Sequence, residues 1–353
     1  MRKLKFIGFL ILLSTSLIFI QCTHDEVVGP QGIAGVDGKD GLDGIDGIDG
    51  SDAAASCTSC HSNSHREPIN SSFLYSGHYN QTIMYNGMTL TEYTTQSFFG
   101  GSCASCHTNE GYIDYMTLGA TDSDGYTNAT AISCTTCHDK HTTFDFENDG
   151  FDYALRHFDP VALNTDPNYT IDFGDKSNNC VTCHQPRTAP PLDDGNGMFA
   201  VTSSHWGPHH GPQSTLLEGI QGAELAGSET YPGIGSATHR TGSSCVTCHM
   251  GQSEGGDDTG QHSFNPTSTA CTTCHPNGAP SEVAGLAEDM EALAVLLEDV
   301  GIVHEDHPVV GNYTLAQAEA AWNYLLVMED SSNGVHNPTY VKALVKNSIE
   351  ALN

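Results

Sequence analysis

The stretch "AISCTTCHDKHTTF", residues 131–144, places Cys134 and Cys137 directly before His138 and adds His141 three positions later. So dense a group of sulfur and imidazole side chains is typical of a zinc site, a redox dithiol or an attachment site for a prosthetic group. The same Cys-x-x-Cys-His pattern occurs at five other places in the 353-residue chain, so one repeated function has to account for all of them.

The six copies of the pattern decide between these alternatives. They are "CTSCH" at 57–61, "CASCH" at 103–107, "CTTCH" at 134–138, "CVTCH" at 180–184, "CVTCH" at 245–249 and "CTTCH" at 271–275. Cys-x-x-Cys-His is the attachment motif of c-type haem, in which two thioether bonds hold the porphyrin and the histidine binds the iron. A zinc site has no reason to place histidine after every second cysteine, and a redox dithiol uses a single pair. The sequence therefore predicts six covalently bound haem c groups.

Each motif supplies two thioether cysteines and one proximal iron ligand. The predicted thioether residues are Cys57, Cys60, Cys103, Cys106, Cys134, Cys137, Cys180, Cys183, Cys245, Cys248, Cys271 and Cys274. The predicted proximal ligands are His61, His107, His138, His184, His249 and His275. Of the 13 cysteines only Cys22 remains, so no pair is left for a structural disulfide.

The remaining histidines are numerous enough to give every iron a second imidazole. Bis-histidine haems are six-coordinate, and they pass electrons without an open position for substrate. Candidates that lie near a motif or between two motifs are His78, His141, His239 and His262, with His65 and His157 as reserves.

A histidine cluster in "SSHWGPHHGPQ", residues 203–213, supplies a further candidate. Three neighbouring histidines cannot all bind one iron, so one ligand is expected from His209 or His210, with His210 preferred. His209 and His205 are then reserves or hydrogen-bond partners of haem propionates. The alternative to haem ligation here is that the three histidines bind a zinc ion.

The N-terminus has the features of a targeting segment. Basic Arg2, Lys3 and Lys5 precede an apolar run at 6–20, which predicts a signal peptide at 1–21, with a membrane anchor helix as the alternative. The run ends in "LIFIQC", which resembles the acylated cysteine site of bacterial lipoproteins, although Phe19 and Gln21 replace the usual small residues. We therefore expect lipidation of Cys22, or else signal cleavage nearby without acylation.

A low-complexity tract follows, with glycine at every third position from Gly29 to Gly50. It resembles the collagen-like stalks of bacterial surface proteins, but Pro30 is its only proline and aspartate fills many positions. Two interpretations stay open: a flexible acidic spacer, or a stalk that forms a homotrimer, and in either case the aspartates could gather calcium. Residues 22–52 are predicted to hold the rest of the chain away from a membrane.

The predicted fold is mainly α with extensive loops and little β, in which short helices wrap a covalent multihaem core at 53–280. Apolar residues at helical spacing, from Val283 to Val300, predict a helix after the last motif. Thr314 with Gln317 forms a capping-box pattern, and Asn337 with Pro338 predicts another helix start. Residues 281–353 should thus form an antiparallel helical bundle packed on the haem core.

Two stretches, "HWGPHHGPQ" at 205–213 and "DSSNGVHNPTYVKAL" at 330–344, loosely resemble the C-terminal region of the pentahaem nitrite reductase and octahaem hydroxylamine oxidoreductase assemblage. The resemblance implies a haem-chain architecture in which His336 is a distal ligand, whereas from its position alone His336 could also cap a turn. Those nitrite reductases commonly carry lysine in one haem motif, which gives an open site. All six motifs here end in histidine.

Charge limits the partners of the chain. Asp and Glu number 43 against 12 Lys and Arg, for a net charge of −31, which disfavours nucleic acid and anionic lipid surfaces.

The sequence favours an exported electron-transfer protein anchored at the outer membrane or cell surface, or facing the periplasm. Its partners would be redox proteins with basic docking patches or an extracellular acceptor. The alternatives are a reductase or oxidase of a small nitrogen or sulfur compound at one open haem, or a subunit of a cytochrome filament.

Overall fold

The computed structural model describes residues 57–80 except 59, residues 84–85, 88–89, 103–126, 129–141, 153–280 and 282–353. The predicted signal peptide, Cys22 and the Gly-X-Y tract lie outside the described residues, as do residues 53–56 of the predicted core. Residues 55–353 belong to one compact unit. The division at residue 281 into a haem core and a bundle stays a prediction.

Short helices carry or flank the haem motifs. Those that overlap a motif are α3 (Ala104–His107), α5 (Cys134–Cys137), α6 (Asn178–Val181), α9 (Cys245–His249) and α10 (Ser268–Thr272). The others are α1 (Asn63–Phe73), α2 (Gly77–Asn80), α4 (Asn109–Leu118), α7 (Gln213–Glu218) and α8 (Thr238–Gly242), with a 3₁₀ turn at Gln261–Ser263. A single turn leaves most of its backbone groups without partners inside the helix, so these elements depend on contacts with other segments.

The strands are short and pair in twos. Antiparallel pairs join β1 (Met84–Tyr85) to β2 (Met88–Thr89), β3 (Val161–Ala162) to β4 (Thr170–Ile171) and β6 (Val303–His304) to β7 (His307–Pro308). The remaining pair joins β5 (Met198–Val201) to β8 (Gly311–Thr314), with Met198 opposite Thr314 and Val201 opposite Gly311. This pair ties the segment after the fourth motif to the C-terminal helices. Helices and loops with a few short strands confirm the predicted fold class.

The long helices lie at the C-terminus: α11 (Leu286–Asp299), α12 (Leu315–Asp330) and α13 (Pro338–Leu352). At the start of α12, the Thr314 hydroxyl accepts from the Gln317 amide at 3.3 Å, and the Gln317 side chain accepts from the Thr314 amide at 3.0 Å. At the start of α13, the Asn337 side chain accepts from the Tyr340 amide at 3.2 Å. Both helix starts that the sequence indicates are thus confirmed. None of the helices in the described part of the chain is long and apolar enough to cross a membrane.

The main hydrophobic core lies among these helices and the segment that follows the histidine cluster. Trp322, Leu326 and Leu344 are fully buried there, and Val201, Leu216 and Ala223 pack into the same cluster. A small second cluster contains Val161, Leu163, Ile171, Val181 and Ile220. The main cluster contains no haem-motif residue, whereas the second cluster includes Val181 of the fourth motif.

Candidate haem sites

The haem motifs line a connected cavity of about 2850 Å³. All twelve motif cysteines and all six motif histidines contribute to its wall. A pocket for one drug-sized ligand has a volume of roughly 300–1,000 Å³. The cavity is therefore large enough for several prosthetic groups, and the cysteines are placed on its wall to hold them.

Each motif histidine faces a second histidine across a gap of nearly constant width. The distances between ring centres are 6.0 Å for His61 and His141, 5.9 Å for His107 and His209, 6.2 Å for His138 and His262, 6.1 Å for His184 and His78, 6.3 Å for His249 and His336, and 6.2 Å for His275 and His239. A metal ion bonded to two imidazole nitrogens at about 2.0 Å, each about 1.1 Å from its ring centre, places the centres about 6 Å apart. All six gaps therefore fit an iron ion bound from both sides.

The partners in these pairs come from distant parts of the chain. His141 follows the third motif but faces the histidine of the first, and His78 lies between the first two motifs but faces the fourth. Five of the six distal candidates chosen from the sequence, His78, His141, His239, His262 and His336, each face a motif histidine. Sequence position alone did not show which motif each would face.

The sixth pair differs from the sequence-based preference. The ring of His209 faces His107, whereas the exposed His210 directs its Nδ1 to Glu329 Oε2 at 2.5 Å. The backbone φ of His209 is +68°, and the two adjacent rings lie 4.7 Å apart. The geometry therefore favours His209 over the expected His210 as the histidine opposite His107. The residue that distinguishes His210 from His209 is Glu329, near the end of α12, which lies far from both histidines in the sequence.

The other reserves occupy different positions. His65 is exposed on the cavity wall, His157 is half-buried, and His205 is exposed. Within the described residues, no three or more His, Cys, Asp or Glu side chains are arranged to hold a metal ion, so the geometry gives no support to zinc at the histidine cluster. A histidine pair needs four further ligands for six-coordinate iron, and a porphyrin has four nitrogens to supply them.

Hydrogen bonds orient several of the paired rings. An oxygen lies close to Nδ1 in five of them: Tyr153 O at 2.8 Å from His138, Gln213 Oε1 at 3.0 Å from His184, Val335 O at 2.5 Å from His239, Phe264 O at 2.8 Å from His249 and Asp330 Oδ1 at 2.6 Å from His336. These oxygens accept, so Nδ1 carries the proton and Nε2 keeps its lone pair. Nε2 is thus prepared for metal binding.

Burial also keeps several of these imidazoles neutral. Desolvation, with a further contribution from His184, lowers the pKa of His78 to about 4. Desolvation likewise lowers the pKa of His107 and His262 to about 4, and that of His209 to about 3. A histidine must be neutral to bind a metal ion, so these four are in the competent form at physiological pH.

The fourth motif contacts three other motifs. A hydrogen bond from Cys183 lowers the pKa of the Cys106 thiol to about 7, and Cys183 Sγ lies 3.9 Å from the carbonyl oxygen of Ser105. The pKa of Cys180 is raised by hydrogen bonding with Cys245 of the fifth motif, by burial and by the nearby Cys137 of the third motif, and the Val246 amide donates to Ser177 Oγ at 3.1 Å. The second, third and fifth motifs thus meet at the fourth.

Comparison with known proteins gives distant relatives. No protein-family model matches the sequence. The chain is 26% identical to the C-type polyheme cytochrome OmcB of Geobacter sulfurreducens, in both the DL-1/KN400 and PCA strains, over 346 aligned residues that cover 74% of this chain and 45% of OmcB. It is also 26% identical to the C-type polyheme cytochrome OmcC of the PCA strain, over 339 residues that cover 71% of this chain and 42% of OmcC. The chain thus spans under half the length of these relatives.

Two solved structures overlap the chain more loosely. The outer cell wall cytochrome OcwA matches with a TM-score of 0.49 and 20% identity over 80% of this chain and 50% of OcwA. Cytochrome c nitrite reductase from Desulfovibrio desulfuricans matches with a TM-score of 0.35 and 12% identity over 81% of this chain and 68% of its own. Neither overlap is close enough to transfer an activity.

The repeated motifs and the polyheme relatives agree on the class of protein. The chain is a multihaem c-type cytochrome that binds haem c covalently.

Proposed function

We propose that this protein is an exported hexahaem cytochrome that carries electrons along a chain of bis-histidine haems. The observation that supports this most strongly is the set of six histidine pairs with ring centres 5.9–6.3 Å apart. Haem c supplies one-electron exchange between ferric and ferrous iron. Two histidines at each site fill both axial positions, so the arrangement favours electron transfer over substrate binding.

The described residues keep the axial histidines in place during this exchange. Oxygens at Nδ1 hold the rings of His138, His184 and His249 in orientation. Because both ligands of each iron are attached to the protein scaffold, little rearrangement is needed when an electron arrives or leaves. A small rearrangement at each electron transfer allows the protein to be reduced and oxidised repeatedly without catalysing a reaction itself.

The contacts between motifs support a continuous and branched path. The fifth motif contacts the segment of the fourth where the Val246 amide donates to Ser177 Oγ at 3.1 Å, and it contacts the sixth-motif segment where the Thr267 amide donates to the carbonyl oxygen of Cys248 at 3.4 Å. Cys183 and Cys180 of the fourth motif also lie near Cys106 of the second motif and Cys137 of the third. His141, next to the third motif, faces His61 of the first. We infer that the fourth haem is the branch point of the path.

The proposed location is the outer membrane or cell surface, with Cys22 as the lipid anchor and residues 22–52 as the spacer or trimeric stalk.

The net charge of −31 favours partners with basic docking patches, and their association should weaken as salt rises. An extracellular acceptor that takes electrons directly is the other proposed partner. Size-exclusion chromatography with light scattering tests the trimer, and elemental analysis tests calcium.

Voltammetry of the full haem-loaded protein on an electrode tests the proposed function. We expect a broad, reversible response that corresponds to six electrons for each molecule, and rapid reoxidation by ferric citrate in stopped-flow mixing. Nitrite, hydroxylamine and sulfite should produce no catalytic current. A catalytic current with one of these compounds would overturn the proposal in favour of a reductase or oxidase.

A further inference from the structure

One of the candidate axial ligands of haem iron, His336, is hydrogen-bonded to a buried carboxylate. His336 Nδ1 lies 2.6 Å from Asp330 Oδ1, and the Asp330 side chain is only 1% exposed. The four other Nδ1 acceptors described above are neutral oxygens, three of the backbone and one of the Gln213 side chain. The pair of His249 and His336 therefore has a carboxylate as one Nδ1 acceptor, whereas the acceptors at His138, His184 and His239 are neutral.

The carboxylate is held firmly in this position. Asp330 is the last residue of α12, and the Ser332 hydroxyl donates to its second oxygen, Oδ2. The same hydroxyl accepts from the His336 amide at 3.3 Å. The turn between α12 and α13 thus fixes the carboxylate and the imidazole together.

Stability alone does not explain a negative charge at this place. The C-terminal end of a helix carries a partial negative charge, so an aspartate there is unfavourable, and its burial adds a desolvation cost. The ion pair that Asp330 forms is with His336. The contact with His336 is therefore the feature of Asp330 that has to be explained by function.

We propose that Asp330 lowers the reduction potential of the haem of the fifth motif, Cys245–His249. A carboxylate that accepts from Nδ1 makes the imidazole a stronger donor at Nε2, and a buried negative charge stabilises ferric over ferrous iron. A low local dielectric strengthens both effects. Asp330 is then a positioning and tuning residue that acts through His336, and the inference rests on the proposed ligation of this haem by His336.

A lowered potential at the fifth haem would affect the order in which the haems are reduced. The fifth motif contacts the segments that carry the fourth and the sixth motifs, so a lowered potential would make an electron on its haem less stable than it would be beside a neutral acceptor. The sixth haem would in this way be separated from the branch point by a step of higher energy.

The test is a redox titration of the full haem-loaded protein, followed by visible absorption and electron paramagnetic resonance. Asp330→Asn keeps the shape and an acceptor oxygen but removes the charge. We expect one of the six potentials to shift in the positive direction, the other five to stay in place, and the g-values of one low-spin signal to change. Ser332→Ala removes a donor from the carboxylate, so the same potential should shift in the negative direction.

The chain offers a matched control one residue away. Glu329 makes the same type of contact with a histidine, His210, at 2.5 Å, but His210 does not occupy the place opposite His107. Glu329→Gln should therefore leave all six potentials unchanged. If it shifts the same potential as Asp330→Asn, the effect is general surface electrostatics and the inference is overturned.

The remaining outcomes separate this inference from the proposed function. If Asp330→Asn moves no potential while all haems remain low-spin, Asp330 has a structural role only and the inference fails, with the electron-transfer proposal intact. A high-spin haem in the unmodified protein that binds added imidazole would instead contradict the proposed ligation itself. If Asp330→Asn fails to fold, Ser332→Ala decides: a negative shift supports the inference, and no shift overturns it.

Discussion

At the residue scale, each candidate haem site combines one short motif with a histidine from another part of the chain. A Cys-x-x-Cys-His motif is local, so the thioether cysteines and the proximal histidine can be read directly from the chain. A distal histidine is brought to the iron by the fold, and its partner can be far away, as His262 is from His138. The choice between His209 and His210 depends on one backbone angle and on Glu329, neither of which a local pattern contains.

Replacement of these two adjacent histidines should have different consequences. His209→Ala removes the imidazole that faces His107, so one of the six haems should become high-spin and bind added imidazole or cyanide. His210→Ala removes the contact with Glu329 and the ring contact with His209 but keeps the imidazole that faces His107, so all haems should stay low-spin. Electron paramagnetic resonance of the two oxidised variants measures this difference. A high-spin haem in His210→Ala but not in His209→Ala would reverse the assignment.

At the element scale, the predictable helices are those whose start signals lie in the sequence itself. The capping box of Thr314 and Gln317 and the Asn337 cap before Pro338 are confirmed because capping is a local interaction. The single-turn helices on the haem motifs carry no such signal in most cases. They are held by contacts from elsewhere, such as Asn109 of α4, whose side-chain oxygen accepts from the Thr136 hydroxyl of α5 at 2.7 Å.

One such contact can be tested at Gly111. This residue of α4 packs so closely on α3, the helix of the second motif, that an added Cβ would collide with the backbone of Ala104. Gly111→Ala should therefore destabilise the protein by about 1–3 kcal/mol, as overpacking does. Chemical denaturation followed by haem absorption measures the loss.

Gly233 provides the control for this substitution. It is exposed, and a Cβ added there would lie 3.7 Å from Ser236 Oγ, which is an ordinary van der Waals contact. Gly233→Ala should leave stability unchanged or raise it slightly, because alanine restricts the unfolded chain. Equal destabilisation by both substitutions would show that close packing at Ala104 is not the cause.

At the scale of the whole molecule, the described apolar core and the haem motifs occupy different places. The largest cluster of buried side chains lies around α11, α12 and α13, whereas the motifs surround a cavity of about 2850 Å³. A chain with so large a cavity in its motif region needs the prosthetic groups to fill it, because protein interiors are close-packed. The six motifs indicate that the chain must make room for haem, but only the fold shows where that space lies.

Preparation of the protein without haem attachment tests this dependence. We expect amides of the motif segments between 57 and 280 to lose their protection from hydrogen exchange, since the groups that fill the cavity are missing. Amides of α12 and α13 should keep more protection, because their core is made of side chains such as Trp322 and Leu344. Native-like protection of the motif segments without haem would contradict this view.

Stability should also depend on pH in a defined direction. His78, His107 and His262 have pKa values lowered to about 4 in the folded chain, against 6.5 when unfolded. Between these values the unfolded state binds protons that the folded state does not, so stability should decrease as the pH falls from about 6.5 towards 4. Denaturant midpoints at pH 8, 7, 6 and 5 measure the effect. A midpoint that is constant or rises between pH 7 and 5 would show that these histidines are not held neutral.

The central claim is that six haems are each bound by two histidines. Low-temperature electron paramagnetic resonance of the oxidised protein, with the haem number determined by intact mass, tests it most directly. The account predicts the mass of six haems and low-spin signals that integrate to six irons, with no stoichiometric high-spin component. Fewer than six haems, or one high-spin haem that shifts on addition of nitrite, hydroxylamine or sulfite, would contradict it.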